Sequence, residues 1–212
     1  MSTDSELLSQ YVHERAEVAL AELVHRHANL VYGAALRQLD GDVHRARDVA
    51  QSVFTDMLRK APTLASRPTL AGWLHTSTRY AAVTARRADR TRDRIECAAA
   101  EQQALGADAP AIAWERLRPV IDQVIADLTE RDRDAVLLRY FEGRQFAEVG
   151  AAFGVSPDAA RMRVERALEK LRGLLERRGV TSTATAIGLT LESAAATVAP
   201  TGLAEALAAG AM

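Results

Sequence analysis

Apolar side chains recur every three or four residues along most of the chain, the spacing that places them on one face of an α-helix. From Ser5 to Asp40 this spacing predicts two helices. The second helix carries a continuous apolar stripe, formed by Val18, Leu20, Ala21, Val24, Ala28, Val31, Tyr32, Ala35, Leu36 and Leu39. A third amphipathic helix is predicted from Asp42 to Lys60, and the two prolines between Pro62 and Pro68 predict a loop.

The stretch from Thr69 to Arg94 changes character along its length. It opens with a candidate N-cap, Thr69, and an apolar anchor formed by Leu70, Trp73 and Leu74. Its later half is basic, with Tyr80 interleaved among Arg79, Arg86, Arg87, Arg90, Arg92 and Arg94. This combination suits a surface that follows a phosphate backbone and stacks an exposed base. For Trp73 taken alone, a place in the hydrophobic core is the preferred interpretation over a stacking platform.

Helical periodicity is lost after Ile95, where an acidic stretch ends in Gly, Asp and Pro. We therefore place an interdomain linker at residues 95–112, between an N-terminal domain at 1–94 and a C-terminal domain at 113–178. Periodicity resumes from Ala111 to Leu128, which predicts a helix. The next helix is expected to start at a capping box formed by Thr129 and Asp132 and to end at Gly143.

A helix-turn-helix is predicted from Gly143 to Arg172. Phe146, Val149 and Phe153 form one apolar face of a short helix, Gly154 allows the turn, and Val155 is expected to fill the corner. Ser156 is a favourable N-cap for the second helix, and Pro157 takes its first position.

The second helix of this motif combines an apolar inner face with a basic surface. Its inner face is formed by Ala160, Val164, Ala167, Leu168 and Leu171, and its basic residues are Arg161, Arg163, Arg166, Lys170 and Arg172. Such a helix can enter the major groove of DNA, where arginines reach phosphates and base edges. The alternative is a helical hairpin whose basic face is merely solvated.

The segment at 179–212 is rich in Ala and Thr and follows the motif as an extension. Its apolar residues return at helical spacing before and after Pro200, at Ile187, Leu191, Ala194, Val198, Leu203 and Leu207. This pattern predicts two short amphipathic helices that need an apolar partner, either the chain's own domains or another protein. A disordered tail is the alternative.

Composition refines this picture mainly through charge. The 212 residues are 48% hydrophobic, 26% charged and 5% aromatic, which favours one large or two small helical domains. A net charge of -1 would argue against a nucleic-acid-binding protein if the charge were uniform. However, residues 61–94 contain seven Arg and two acidic residues, whereas 95–115 contain four acidic residues and no basic one. The basic surface is therefore local.

Several kinds of chemistry are disfavoured by the residue types present. The single cysteine, Cys97, excludes an internal disulfide and a multi-cysteine zinc site. His25 and His27 would point to different faces of a helix, so no metal site is expected there. No nucleophile–base pair or Gly-rich phosphate loop is evident, and we expect neither catalytic residues nor a cofactor. The first residues do not resemble a signal peptide, and we expect no membrane span and a cytoplasmic location.

Four segments, in this order, resemble the extracytoplasmic-function group of bacterial RNA polymerase sigma factors. They read AELVHRHANLVYGAAL, RARDVAQSVFTDML, LAGWLHTSTRYAAVTARRADR and LTERDRDAVLLRYFEGRQFAEVGAAFGVSPDAARMRVERALEKLR, and together they span residues 21–172. The resemblance implies an all-α protein of two small helical domains joined by a flexible linker. It also implies a promoter-recognition subunit that binds core RNA polymerase and directs promoter recognition, melting and transcription initiation without catalysis of its own.

The resemblance assigns three sets of residues. The helix with the D-x-x-Q pattern binds core polymerase in this group, which implies that role for Asp48, Gln51, Ser52, Thr55 and Asp56. The following basic helix recognises and melts the minus-ten element, which implies that role for Trp73, Arg79, Tyr80, Thr84, Arg86, Arg87 and Arg90. The helix-turn-helix reads the minus-thirty-five element, here through Ser156, Pro157, Ala159, Arg161, Met162, Arg163, Glu165, Arg166 and Lys170.

Three departures from the group's pattern are visible. Arg47 and Ser52 stand where acidic residues are frequent, and Tyr80 and Thr84 stand where asparagines are frequent. Gly150 stands inside the first helix of the helix-turn-helix, where Ala is common in the group. Glycine is roughly 1 kcal/mol less favourable than alanine inside a helix.

Two rival functions remain open at this point. One is a helix-turn-helix repressor that binds duplex DNA without polymerase. The other is a sigma-like decoy that binds an anti-sigma protein and never DNA, against which Arg161, Arg163 and Arg166 argue. If the chain is a functional sigma factor, an anti-sigma protein is a further candidate partner. The C-terminal extension is then a candidate regulator of the sigma factor.

Overall fold

Helices account for all the regular secondary structure in the part of the chain that the structure describes. This computed structural model describes residues 2–96, 114–180 and 182–211, with side chains for these ranges except 88–96, 114–119, 210 and 211. The helices are α1 (Asp4–Glu14), α2 (Glu17–Gln38), α3 (Val43–Arg59), α4 (Ala61–Leu64), α5 (Ala71–Glu96), α6 (Trp114–Ala126), α7 (Glu130–Val136), α8 (Phe146–Phe153), α9 (Pro157–Glu176), α10 (Ala184–Ala195) and α11 (Leu203–Ala211). A π-helical turn, Leu137–Phe141, continues α7. The predicted all-α fold class is confirmed.

The first hydrophobic core lies among α2, α3 and α5, and α1 and α4 close it. Leu20, Leu23, Phe54 and Met57 are fully buried there, so the apolar stripes seen in the sequence face one another. Capping defines where these helices start. Thr3 and Glu6 form a capping box on α1, and Asp42 accepts a hydrogen bond from the Arg45 backbone N–H at the start of α3.

The second core lies among α6, α7, the π-helical turn, α8 and α9. The predicted helix-turn-helix is present as α8 and α9. Gly154 ends α8 in the left-handed region with φ of 65°, and the Ser156 hydroxyl accepts a hydrogen bond from the Ala159 backbone N–H. The turn packs closely because a Cβ on Gly150 would lie 2.7 Å from the carbonyl oxygen of Val155. Because Gly150 has no Cβ, it permits this close approach of the turn. The sequence alone did not reveal this role of Gly150.

The C-terminal extension is helical and packs against both cores. Ile187, Leu191 and Ala194 of α10 are buried in the second core, whereas Leu203 and Leu207 of α11 are buried in the first. The connection between the two helices crosses α2, where the Asn29 side chain accepts a hydrogen bond from the Ala199 N–H at 2.9 Å. The extension thus joins the two halves of the fold.

Two element boundaries differ from the sequence-based expectations. The one-turn helix α4 occupies part of the expected loop at Pro62–Pro68. Ile95 and Glu96 continue α5 instead of starting a linker, and the rest of the predicted linker, 97–112, lies outside the described residues.

Three residues also differ from their predicted roles. Thr129 does not complete a capping box, because its hydroxyl donates to the Asp132 carboxylate at 2.8 Å instead of accepting from the backbone. Val198 follows the end of α10 and is 72% exposed, and Val155 is 38% exposed instead of filling the corner.

Candidate nucleic-acid interface

The predicted polymerase-binding residues share the solvent side of α3. Asp48, Gln51 and Ser52 are exposed, while Thr55 and Asp56 are half-buried. They lie opposite the face that carries Val49, Val53 and Phe54 into the first core, because α3 is amphipathic along its whole length. The helix therefore presents an uninterrupted polar strip to a partner.

The predicted minus-ten residues on α5 divide into two groups. Tyr80 is 66% exposed, and Thr84, Arg86 and Arg87 are exposed as well. Trp73 is half-buried against the first core, with the Lys60 ammonium 5.6 Å from its ring centroid. Its position agrees with the preferred interpretation as a core residue.

Two arginines of this set already have partners. Arg79 donates to the side chain of Gln123 on α6, and Arg86 donates to Asp40 at 2.7 Å and to the carbonyl of Gln38. Arg90 lies on the same helix, and its side chain is outside the described residues. DNA would have to compete for Arg79 and Arg86, whereas the Tyr80 ring is open to solvent.

A groove between α3 and α5 brings two predicted sets together. Its volume is about 700 Å³. Asp48, Ser52 and Asp56 line one wall, and Tyr80 and Thr84 line the other. A partner bound to α3 would thus lie beside the ring that is proposed to stack a base. The sequence could not reveal this proximity, which depends on the packing of α3 on α5.

The minus-thirty-five set occupies the exposed side of α9 and its N-terminal cap. Ser156, Pro157, Ala159, Arg161, Met162, Glu165, Arg166 and Lys170 are exposed, and Arg163 is half-buried. The N-terminus of this helix presents free backbone N–H groups, which favour an anionic phosphate. The arrangement fits insertion of the first turns of α9 into a major groove.

Asp132 pairs with two basic residues of this site, a role that its sequence position did not predict. Its carboxylate lies 2.5 Å from the Lys170 ammonium and 3.7 Å from the Arg163 guanidinium, and these groups line a second groove of about 440 Å³. Burial would raise the pKa of Asp132, but the bonds from Lys170 and Thr129 lower it below its usual value. Two of the predicted DNA-binding cations are therefore partly neutralised by the protein itself.

Buried charges connect the two halves of the fold. Arg37 on α2 donates to both carboxylate oxygens of Asp122 on α6, at 3.0 and 2.7 Å, and His75 Nε2 on α5 lies 3.0 Å from the same carboxylate. Burial would raise the pKa of Asp122, but Arg37 and His75 hold it well below its usual value. Asp122 is thus an ionised, fully paired group between the two cores.

A second buried cluster is centred on His27. Its Nε2 lies 3.1 Å from Asp4 on α1, and its Nδ1 lies 2.7 Å from Glu142, which follows the π-helical turn. Burial would lower the pKa of His27, but the two carboxylates raise it to about 10. Both ring nitrogens can then donate, so the imidazolium joins two carboxylates from distant parts of the chain.

A third contact places α7 against the start of α5. Arg133 donates to the Thr76 hydroxyl at 2.9 Å, and the buried carboxyl group of Asp134 lies against Gly72. Burial and the neighbouring Glu130 raise the pKa of Asp134 to about 7. Its Oδ1 has no hydrogen-bond partner among the described residues.

Within the described ranges, three or more side chains suited to a metal ion do not converge anywhere. Every helix in the same ranges falls short of the length and apolarity that a membrane span requires.

Comparison with known proteins identifies two matching regions. Residues 23–92 match the Sigma-70 region 2 family, and residues 124–173 match the Sigma-70, region 4 family. The first region contains α3 and most of α5, and the second contains α7 to most of α9. Both predicted DNA-binding helices therefore fall inside a sigma-factor match, whereas α10 and α11 fall outside.

Individual relatives point the same way. The chain is 35% identical over 161 residues to the RNA polymerase sigma factor CarQ of Myxococcus xanthus, an alignment that covers 76% of this chain and 91% of the relative. It is 31% identical to the ECF sigma factor SigE of Mycolicibacterium smegmatis, over 73% of this chain and 60% of the relative. It is 28% identical to SigL of Mycobacterium tuberculosis, over 78% and 94%. The chain belongs to the extracytoplasmic-function family of RNA polymerase sigma factors, which direct promoter-specific transcription initiation.

Proposed function

We propose that the three predicted residue sets divide the work of this sigma factor. The α3 strip of Asp48, Gln51, Ser52, Thr55 and Asp56 binds core RNA polymerase. The exposed part of α5 binds the minus-ten element, with Tyr80 stacking an unpaired base. The N-terminal half of α9 reads the minus-thirty-five element as duplex DNA. Polymerase supplies the catalysis. The protein acts where polymerase transcribes, in the cytoplasm.

The groove between α3 and α5 is the observation that supports this division most strongly. Stacking an unpaired base requires an exposed aromatic ring, and melting requires that the ring be held next to the polymerase that opens the duplex. Tyr80 is the exposed aromatic of α5, and it shares the groove with Asp48, Ser52 and Asp56. An isolated DNA-binding domain would have no need for a polar strip beside its base-stacking residue.

An anti-sigma protein is proposed as a further partner. Asp48, Gln51 and Ser52 of the α3 strip are exposed in this structure, and a protein that covered them would prevent polymerase binding. Such a partner would act on the same residues that bind polymerase, so variants of Asp48 should weaken both interactions.

Footprinting of a candidate promoter with purified protein and core polymerase tests the function. We expect promoter melting only when both components are present, and only weak protection by the protein alone. Protection of duplex DNA without polymerase would instead indicate a repressor. Absence of both DNA and polymerase binding would indicate a decoy.

The role of α9 is tested with a matched pair of arginines. Arg161→Ala should weaken minus-thirty-five binding by about 1–3 kcal/mol if this side chain contacts a base edge. Arg172→Ala is the control, because Arg172 is on the same helix but pairs with Glu169 and Glu176 beyond the proposed DNA-facing part. Equal losses from both variants would argue against base recognition by Arg161.

A further inference from the structure

The Asp132 carboxylate holds two basic side chains of α9 from the neighbouring helix. Asp132 belongs to the first turn of α7, and its carboxylate lies 2.5 Å from the Lys170 ammonium and 3.7 Å from the Arg163 guanidinium. The Thr129 hydroxyl donates to the same carboxylate at 2.8 Å. The Asp132 side chain is only 8% exposed, so protein groups rather than solvent surround most of it.

Arg163 and Lys170 lie on the flank of α9 that faces α7. Seven residues span almost two turns of an α-helix, so these two side chains project to the same side, about 10 Å apart along the axis. Arg161 precedes Arg163 by two residues and therefore projects to a different face. Arg163 is half-buried and Lys170 is exposed. The flank thus presents two cations to solvent, and one carboxylate lies beside both.

Two cations on the flank of a helix in the major groove suit the phosphate backbone beside that groove. Phosphate contacts position a protein on DNA but carry no sequence information of their own. They supply essentially all of the affinity for DNA of any sequence, through release of counterions. Without a restraint, Arg163 and Lys170 would therefore favour any duplex, because long basic side chains can reach phosphates in many registers.

The Asp132 carboxylate limits this attraction in two ways. Its pKa lies below the usual value, so it is ionised at neutral pH and offsets part of the charge of the two cations. It also restricts the direction of both side chains, because each stays within reach of the same carboxylate. Arg163 and Lys170 are then oriented towards phosphates in one position relative to α9, and they lose less conformational freedom on contacting them.

We propose that Asp132 is a specificity-determining residue of the minus-thirty-five site. By orienting Arg163 and Lys170 and offsetting their charge, it weakens binding to DNA of unrelated sequence more than binding to the promoter. This inference rests on the role proposed above for α9. In the promoter complex the base contacts of α9 fix the register, so the two oriented cations meet phosphates without rearrangement. Other DNA offers no such register, and the restrained side chains gain less there.

Salt-dependent DNA binding by the Asp132→Asn variant tests the proposal. Asparagine keeps the shape of the side chain and can still accept the Thr129 hydrogen bond, but it removes the charge. The full-length protein is titrated with a duplex of scrambled sequence at several salt concentrations. We expect the variant to bind this duplex about three- to tenfold more tightly at low salt, and the slope of log affinity against log salt to be steeper by about one.

The holoenzyme measures the preference for the promoter. Core polymerase is combined with each variant, and promoter binding is measured in competition with a duplex in which only the minus-thirty-five element is scrambled. Core polymerase is common to all samples, so a difference between variants is due to the sigma factor. We expect the preference for the promoter to fall about threefold or more in Asp132→Asn. An unchanged preference would overturn the proposal, as would unchanged or weaker binding of the scrambled duplex.

Two matched variants separate the pairing from its alternatives. Asp132→Glu retains the carboxylate and should stay close to the wild type in both measurements, and a result like that of Asp132→Asn would overturn the proposal. Asp127→Asn removes a carboxylate that pairs with Arg178, outside the proposed DNA-binding set, and should change neither the salt slope nor the preference. Equal effects of asparagine at positions 127 and 132 would mean that net charge alone is responsible, which contradicts the proposal.

A double-mutant cycle with Lys170→Gln tests the pairing itself. The loss of affinity for the scrambled duplex should be larger in the Asp132→Asn background than in the wild type, because Lys170 is unrestrained there. Equal losses in the two backgrounds would overturn the proposal. A wild-type holoenzyme without any preference for the promoter would instead contradict the function proposed for α9. In that case the salt slope of Asp132→Asn still decides whether Asp132 limits phosphate binding.

Discussion

Because His27 is buried between Asp4 and Glu142, its protonation couples the free energy of unfolding to pH. Its pKa in the folded chain is about 10, against an ordinary value of 6.5. A raised pKa means that the stabilisation is complete below about pH 6.5 and is lost as the pH rises towards 10. Arg26 and Arg144 pair with the same two carboxylates, Arg26 with Asp4 and Arg144 with Glu142.

We therefore expect the free energy of unfolding to fall as the pH rises from about 8 to 9.5, by at most about 1.4 kcal/mol per pH unit for this group. Asp134, with a pKa of about 7, has finished most of its titration by then. Urea denaturation over this range gives the slope. In the His27→Gln variant the slope should become shallower, and an unchanged slope would contradict the assignment.

In the helix-turn-helix, close packing of the turn on α8 limits which residues position 150 can accept. Gly150→Ala would improve helix propensity by about 1 kcal/mol, but the new Cβ would overlap the backbone of the turn. Because the opposing atoms are the Val155 carbonyl and the Ser156 backbone, they cannot rotate away. Overpacking of this kind destabilises by about 1–3 kcal/mol, so we expect a net loss of about 1 kcal/mol.

Thermal or chemical unfolding of two matched variants measures this effect. Gly173→Ala lies in α9 with open space around it, so it should stabilise the protein by up to about 1 kcal/mol. Opposite signs for the two substitutions would support the steric explanation. A stabilising Gly150→Ala would mean that the turn can relax.

Helices were predictable from the sequence because their signals are local. The apolar stripe of α2, the Ser156–Pro157 start of α9 and the glycine at 154 each depend on residues within a few positions of one another. The π-helical turn and α4 were not predictable, since packing on neighbouring helices determines them. Most of the residues expected at the functional site lie on exposed faces as well, because an amphipathic pattern already separates the two sides of a helix.

At the scale of the whole molecule, Gly72 lies at a close contact between the two halves, under the Asp134 carboxyl group. Gly72→Ala would place a Cβ on the Asp134 carboxyl group while favouring the α5 helix itself. We expect an increase in radius of gyration above the roughly 17 Å of a compact chain of this length. Small-angle scattering of the full-length protein provides the measurement. Gly173→Ala should leave the radius unchanged, and no difference between the two variants would exclude a steric role for position 72.

The contacts between the halves are the part that the sequence did not reveal. Arg37 and Asp122 are 85 residues apart, and His27 and Glu142 are 115 apart. Neither pair has a local spacing that identifies the partner, and Arg37 interrupts the apolar stripe of α2 without any local sign of Asp122. Long-range pairing of buried charges depends on the final packing of the domains, which periodicity does not encode.

The Arg37–Asp122 pair also has a consequence for how this chain can change in evolution. Both side chains are buried, and the guanidinium donates to both carboxylate oxygens. Replacing one partner leaves the other charge buried and unpaired, at about 3–5 kcal/mol, whereas apolar residues of similar volume at both positions are often neutral. Positions 37 and 122 should therefore change together in related chains, although 85 residues separate them.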